Sequence, residues 1–438
     1  MTVLNLIARL RSSPLIGNLA KVTSGTIAAQ AIMFAFSPII TRLYGPEAFG
    51  IQGVFLSLVA ILSPAIALRY PMAIIVENSD ENARRLGRLS LQIAFAFGCL
   101  FFAALLLCRQ PIAAMIGAES LGLLIYFMPL ALFCTAWQEV RDCDTARRND
   151  FGLAARVSVI QVFLTNLART VGGIFAPLAS TLVAVTSLAP AVQAALLARG
   201  ARRTDIEPTA DSGALEAKSA RALLKTYRDF PLFRVPNDVL NSASQSVPVI
   251  LFASLFSPHV AGLYALTRTV LNLPFNIVGA SAGNVLYRRF AELALEGRSL
   301  APLIVRSTLA FATLTPIIVG VSFFFPEIFA FLFGDEWRDA GHYGQWLSLW
   351  IAVGFANLPT VRVAPVIRAQ HLMLAINCLM LASRVLAIVV GFKLYNDPLT
   401  SIALFSVVSA IGNLILILTL VLATRRFDRR RLKDSSYL

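Results

Sequence analysis

Tyr264, Arg268, Asn272 and Asn276 recur every four residues inside a run of apolar side chains. Residues four apart share one face of an α-helix, so these side chains form a slowly drifting polar stripe. A guanidinium presents a planar fork of donors that fits phosphate and carboxylate oxygens. Amides both donate and accept, which suits sugar hydroxyls. Asn284 extends the polar character further along. A second row, Asn237, Asn241 and Gln245, beside Ser242, Ser244 and Ser246, stands in the preceding apolar run. A third holds Thr23, Thr26, Gln30, Ser37 and Thr41. Together the rows suit an anion that bears sugars. A plainer role is open to each residue alone, because Asn, Gln and Ser also hydrogen-bond membrane helices to one another. A row that contains an arginine fits that role less well, since arginine costs roughly 2.5–3.5 kcal/mol at the centre of a bilayer.

The elements that carry these rows follow from composition. The 438-residue chain is 57% hydrophobic and 14% charged, with mean hydropathy +0.72; soluble domains carry about 25% charge. Apolar runs of about 20 residues, the length that crosses a bilayer as a helix, recur from end to end. They are continuous rather than alternating, which excludes a membrane β-barrel. The expected fold is an all-α polytopic membrane protein with about twelve spans: 22–41, 48–68, 89–108, 121–140, 152–171, 177–198, 236–256, 260–283, 304–325, 344–366, 372–392 and 399–423. With the N-terminus inside, 29 of the 38 Lys/Arg fall on the cytoplasmic side, Arg306 at the start of span 9 included. Four, Arg42, Arg109, Arg338 and Lys393, fall on the other. The positive-inside rule then places both termini in the cytoplasm. The net charge of +14 reads as topology, and no nucleic-acid partner is expected. At 1–21 the apolar stretch is broken by Arg9 and Arg11, so it reads as a short interfacial helix with Leu4, Ile7, Ala8 and Leu10 on one face, not as a signal peptide.

The polar, basic segment 199–235 divides the spans six and six. Residues 1–205 form one expected bundle, 206–235 a cytoplasmic linker and 236–438 a second bundle. LYGPEAFGIQ at 43–52 and LFSPHVAGLY at 255–264 occupy the same place in each half. That repeat argues for two parallel six-helix bundles around a central cleft, an architecture suited to alternating access. Pro64 and Pro274 lie in the second span of each half, and Pro359 and Pro365 interrupt the tenth; ordinary kinking also explains them.

Besides Arg268, and Arg306 counted with the loop at the start of span 9, four arginines lie within spans. Arg156 and Arg362 near cytoplasmic ends and Arg169 near an outer end can snorkel, while Arg384 is deeper and free to pair structurally. Arg42 and Arg362 are secondary basic candidates. Carboxylates are nearly absent from the spans. Glu139, Asp238 and Glu327 all sit near ends, which argues against a cation exporter. The five cysteines and three histidines form no metal pattern. No cofactor is expected, and coupling to protons or sodium is open. An enzyme of polysaccharide polymerisation would need a substantial outer loop. The longest polar one here is 334–344, with Asp335, Glu336, Asp339 and His342, which reads as a solvated loop. The basic TRRFDRRRLK segment near the C-terminus reads as an anchor to anionic headgroups.

Residues 24–86 resemble the start of bacterial polysaccharide flippases of the multidrug/oligosaccharidyl-lipid/polysaccharide exporter superfamily. The similarity rests on SPIITRLYGPEAFG at 37–50 and LRYPMAIIV at 68–76. It covers about the first fifth of the chain well, and the remainder agrees in span count and layout. The resemblance implies an inner-membrane carrier of polyprenyl-diphosphate-linked oligosaccharide repeat units, working with membrane lipids and other assembly proteins. Relatives that flip the peptidoglycan precursor often have fourteen spans, so twelve points to the O-antigen or exopolysaccharide branch. The family's basic cleft residue on span 8 looks matched by Arg268. Arg42 and Arg69 fall within the similar segments, where simple anchoring also explains them.

Overall fold

The computed structural model describes residues 14–203 and 219–435, with side chains at 24–201 and 219–431 except 276–278, 280, 281 and 284. The expected interfacial helix near the N-terminus and linker residues 204–218 lie outside the described residues. Every regular element among the described residues is helical. Among the described residues nine helices are long and apolar enough to cross a membrane; the chain is a multi-pass membrane protein. The first of the nine carries two expected spans, and the helices at 236–256 and 260–283 stand outside the set.

Helix α1, Pro14–Ile66, is broken at Gly45 (φ 64°, ψ 169°). That backbone conformation suits glycine, and Pro46 follows where a helix start needs no N–H. At the matching segment, Ser257 is extended, its hydroxyl accepts from Val260 N, and Pro258 opens the next helix. The two similar stretches therefore do the same work: each stops one helix and starts another on proline.

The chain divides into two compact units, Met1–Ile250 and Leu251–Leu438. In the first, α1 turns through Leu68 and Arg69, both at positive φ, into a 3-10 turn at Tyr70–Met72 and the short α2, Ala73–Val76. Next come α3 (Asp80–Met115), a 3-10 stretch at Glu119–Phe127, α4 (Met128–Arg147), α5 (Phe151–Phe175) and α6 (Ala179–Arg203). Ser79 caps α3, with Asp80 and Glu81 in its first turn, where acids meet the positive end of the helix dipole. Expected span 4 thus begins as 3-10 helix and becomes α-helical only from Met128. Helix α1 packs on α5, and α4 on α6.

The end of the expected linker is ordered against this unit. It forms α7, Ala220–Thr226, and a turn of π-helix before α8, Val235–Leu255, which runs past the unit boundary. Leu223 of α7 is fully buried with Ile74, Leu86 and Val140. The Tyr70 hydroxyl donates to Leu224 O at 3.2 Å, and the Tyr227 hydroxyl to Glu77 Oε2 at 3.1 Å. Burial first, then the Glu77 carboxylate, pushes the Tyr227 phenol above its ordinary pKa.

The second unit holds α9 (Pro258–Leu295), α10 (Ala301–Ala312), α11 (Thr315–Ser322), α12 (Phe325–Phe333), α13 (Arg338–Val363), α14 (Gln370–Tyr395) and α15 (Pro398–Ser435). Expected span 9 is two helices, broken before Pro316, which has no N–H to continue the ladder. Helix α13 is central and packs on α9, α10, α12 and α15. A Cβ on its Gly341 would fall 2.4 Å from Pro326 Cα, so only glycine permits that approach. Buried Asp428 of α15 accepts from Ser299 Oγ at 2.6 Å, Leu300 N at 3.0 Å and Ala301 N at 2.9 Å. A side chain 128 residues away thereby satisfies the start of α10.

Candidate functional site

The polar row on α9 leads into a cluster of basic and aromatic groups within the second unit. Tyr264 is wholly buried, and its hydroxyl is closed from solvent with no hydrogen-bond partner among the described residues. Arg268, one turn on, is half-buried. Arg384 reaches the same place from α14. Its Nε donates to Ser409 Oγ of α15 at 2.9 Å, and its Cζ lies 5.2 Å from the Trp350 ring centroid and 5.9 Å from that of Phe405. The Phe405 ring meets Tyr264 edge-on at 6.0 Å. Both guanidiniums interact electrostatically with Tyr264 and with each other. Among the described residues no carboxylate pairs with Arg384. Four helices thus gather two positive charges and three aromatic rings.

The other expected site residues are placed differently. Asn272 is half-buried on α9, two turns beyond Tyr264; Asn276 is on the same helix, with its side chain outside the described residues. Asn241 and Gln245 are exposed on α8, in the stretch that belongs to the first unit. Gln30 is half-buried on α1, and its Oε1 is closed from solvent without a partner. Arg42 is exposed beside the Gly45 break. Arg362 ends α13 and lies across Gly283 of α9, where a Cβ would meet its Nε at 2.6 Å. Gly283 is 15 residues from Arg268, about 22 Å along the helix, so Arg362 stands apart from the Arg268 cluster.

The first unit has an ionic hub that sequence reasoning did not assemble. Arg69 Nη1 lies 2.5 Å from Glu139 Oε1 of α4, and Nε lies 2.9 Å from Asp238 Oδ2 of α8. Asp238 also pairs with Arg234 at 3.1 Å. Arg69, Glu139 and Asp238 had each been legible as charges near span ends. Their meeting depends on the left-handed turn at Leu68–Arg69, which no periodicity signals. On α4, Asp142 takes Gln138 Nε2 at 3.3 Å and Gln193 Nε2 of α6 at 3.1 Å. Among the described residues no group of His, Cys, Asp and Glu could hold a metal ion.

The family of polysaccharide biosynthesis proteins matches residues 39–342. The chain belongs to this family. The resemblance read at 24–86 therefore extends across most of the molecule. One relative, the succinoglycan biosynthesis transport protein ExoT of Rhizobium meliloti (strain 1021), is 22% identical over 316 residues, 70% of this chain and 60% of the relative. The chain thus matches less than two thirds of that protein's length. Among solved structures, an inward-facing multidrug resistance MATE family transporter of the MOP superfamily superposes with TM-score 0.72 at 14% identity, covering 92% of this chain and 96% of the other. Lipid II flippase MurJ in an inward closed conformation gives 0.68 at 11% identity, covering 94% and 90%. At those identities the likeness establishes the fold. The chain is a membrane protein of polysaccharide biosynthesis with the all-helical fold of MOP-superfamily transporters.

Chemically, the α9 cluster concentrates positive charge among aromatic rings. Trp350 and Phe405 flank Arg384, and a guanidinium over an aromatic face is attracted by its quadrupole. That contact leaves the donor edge of the fork available for oxygens in its plane. The sequence singled out Arg384 as a deep charge but offered no sign that it would join Arg268. Arg384, 116 positions from Arg268, reaches the rings beside Tyr264 because of how α14 packs on α15.

Proposed function

We propose that the chain is a flippase that carries polyprenyl-diphosphate-linked oligosaccharide repeat units from the cytoplasmic to the periplasmic leaflet of the bacterial inner membrane, by alternating access. It would serve O-antigen or exopolysaccharide assembly together with other assembly proteins. In this reading twelve helices cross the membrane, six in 1–205 and six in 236–438, joined by 206–235, with both termini cytoplasmic.

The observation that carries the reading is that Arg384 stacks on Phe405, whose ring meets Tyr264 one helical turn from Arg268. Two like charges held together in a poorly solvated setting repel. A diphosphate would relieve that repulsion while accepting forked hydrogen bonds from both. The unpartnered Tyr264 hydroxyl is a further donor at the same place. Asn272 continues the row on α9, suited to sugar hydroxyls, with Arg362 as a secondary basic contact. ExoT, named for transport in succinoglycan biosynthesis, and MurJ, named as a Lipid II flippase, support the same direction. The chain would act as a carrier, not a polymerase. Its outer segment 334–344 is a short 3-10 turn and helix start, with Arg338 pairing Asp335 at 3.3 Å and Glu327 at 3.5 Å. An inside-negative potential would assist expulsion of an anionic headgroup by about 2.3 kcal/mol per charge per 100 mV.

The test is headgroup accessibility of a polyprenyl-diphosphate oligosaccharide in proteoliposomes of the purified protein, with and without proton and sodium gradients. Protein-dependent translocation is expected, falling at least tenfold in folded Arg268→Ala and Arg384→Ala variants. Export of cationic dyes with no glycolipid movement would overturn the reading.

A further inference from the structure

Arg169 of α5 is a half-buried cation of the first unit, and the carrier reading above makes no use of it. Its Nη2 donates to Thr186 Oγ1 of α6 at 3.0 Å. The same oxygen accepts from Gln52 Nε2 at 2.6 Å and donates to Leu182 O at 2.6 Å. Thr186 is therefore fully occupied. Arg169 Nε is closed from solvent and has no partner. The nearby Tyr44 hydroxyl is committed as a donor to the Arg169 backbone carbonyl at 2.8 Å. Its ring is seated by Gly173, where a Cβ would meet Tyr44 Cε2 at 2.7 Å. Ile40, Tyr44, Ala48 and Leu182 form the buried apolar cluster alongside.

Among the described residues no carboxylate pairs with Arg169. A guanidinium taken out of water without a counter-charge is strongly disfavoured, and one neutral hydroxyl does not offset that. Arg169 is half-buried as a residue, and Thr186 engages only its Nη2, which leaves the other donors of the fork for a small ligand. Buried Gln52 adds a polar amide to the same network. The apolar cluster and the committed Tyr44 hydroxyl offer no polar partner to a larger ligand.

We propose that Arg169, held on one edge by Thr186 and with Gln52 beside it, forms a site for a small monovalent anion of the chloride class inside the first unit. The anion supplies the charge that the sequence does not, and it ties α1, α5 and α6 together where Tyr44 closes them. This site is separate from the Arg268 cluster and stands whether or not the chain moves glycolipids.

The test uses full-length purified protein in detergent, exchanged into gluconate and titrated with chloride or bromide while thermal unfolding is followed. A saturable rise in Tm is expected in the wild type, with at least tenfold weaker apparent affinity in Arg169→Gln and partial retention in Arg169→Lys. A Tm independent of halide, or an equal response in wild type and Arg169→Gln, would overturn the proposal. Because Arg169→Gln could misfold, anomalous diffraction from wild-type crystals in bromide provides a second measurement. A bromide peak within hydrogen-bond distance of Arg169 supports the site, and its absence at saturating bromide sinks it.

Discussion

At the scale of single residues, two aspartates in the second unit bind helix starts that the chain would otherwise leave open. Asp428 satisfies two backbone N–H groups and a hydroxyl at the start of α10. Replacing it with alanine would strand Leu300 N, which is buried. We expect Asp428→Ala to cost about 1–3 kcal/mol, the penalty for an unsatisfied buried donor, read as a lower Tm in detergent. Asp397 caps α15 through Thr400 N at 2.8 Å and Thr400 Oγ1 at 2.6 Å. Burial raises its pKa, but the hydrogen bonds from Thr400 and the Leu399 N–H outweigh burial and hold it below the ordinary carboxylate value. A depressed folded-state pKa gives stability that is complete above the unfolded value near pH ~3.9 and is lost as pH falls through the folded value. Asp397→Ala should therefore cost about 1 kcal/mol at pH 7, and the gap to wild type should shrink in acid titration below pH ~4. A pH-independent gap would show that the charge on Asp397 is not what stabilises the cap. The sequence placed Asp428 within a basic tail and suggested a headgroup anchor. The structure assigns that stretch an internal role as well, with Arg431 donating to Ala294 O at 2.6 Å.

At the scale of elements, the apolar runs and the turns with proline were readable because each is local. A 20-residue apolar stretch must be a helix in a bilayer, and Gly45–Pro46 or Ser257–Pro258 must interrupt one. The row at Tyr264, Arg268 and Asn272 was readable for the same reason, since spacing alone fixes a helix face. What could not be read is where faces meet. Nothing near residue 384 announces residue 268, and nothing near Arg69 announces both Glu139 and Asp238. The Arg69 hub carries a consequence for α8. Its first turn is held to α1 and α4 by one guanidinium, presented by two successive left-handed residues, each costing of order 1–3 kcal/mol. In Arg69→Ala, Glu139 and Asp238 lose their shared cation, leaving two half-buried carboxylates in mutual repulsion. Amide exchange over 235–241 should then quicken at least tenfold, while the α5 amides stay as in wild type. Equal exchange in both proteins would mean that Leu223, Tyr70 and Tyr227 hold this region unaided.

At the scale of the whole chain, orientation rests on charge sorting alone, so it needs a test that uses geometry. Glu296 follows α9 and Asp335 follows α12; both are exposed. The basic count puts Glu296 in the cytoplasm and Asp335 outside, with only span 9 between them. That span is the least regular of all, split into Ala301–Ala312 and Thr315–Ser322. Its two pieces total about 30 Å of helix at 1.5 Å per residue, enough to cross the hydrocarbon if both pieces run in one direction. Cys99, Cys108 and Cys378 are exposed, so the experiment requires a background with all five native cysteines replaced. In spheroplasts, a membrane-impermeant maleimide should label Asp335→Cys at once and Glu296→Cys only after lysis. The reverse pattern would invert the molecule and make the charge asymmetry positive-outside. Labelling of both from the same side would mean that the broken helix does not cross, which would remove a span from the second half and with it the six-and-six symmetry implied by the two similar stretches.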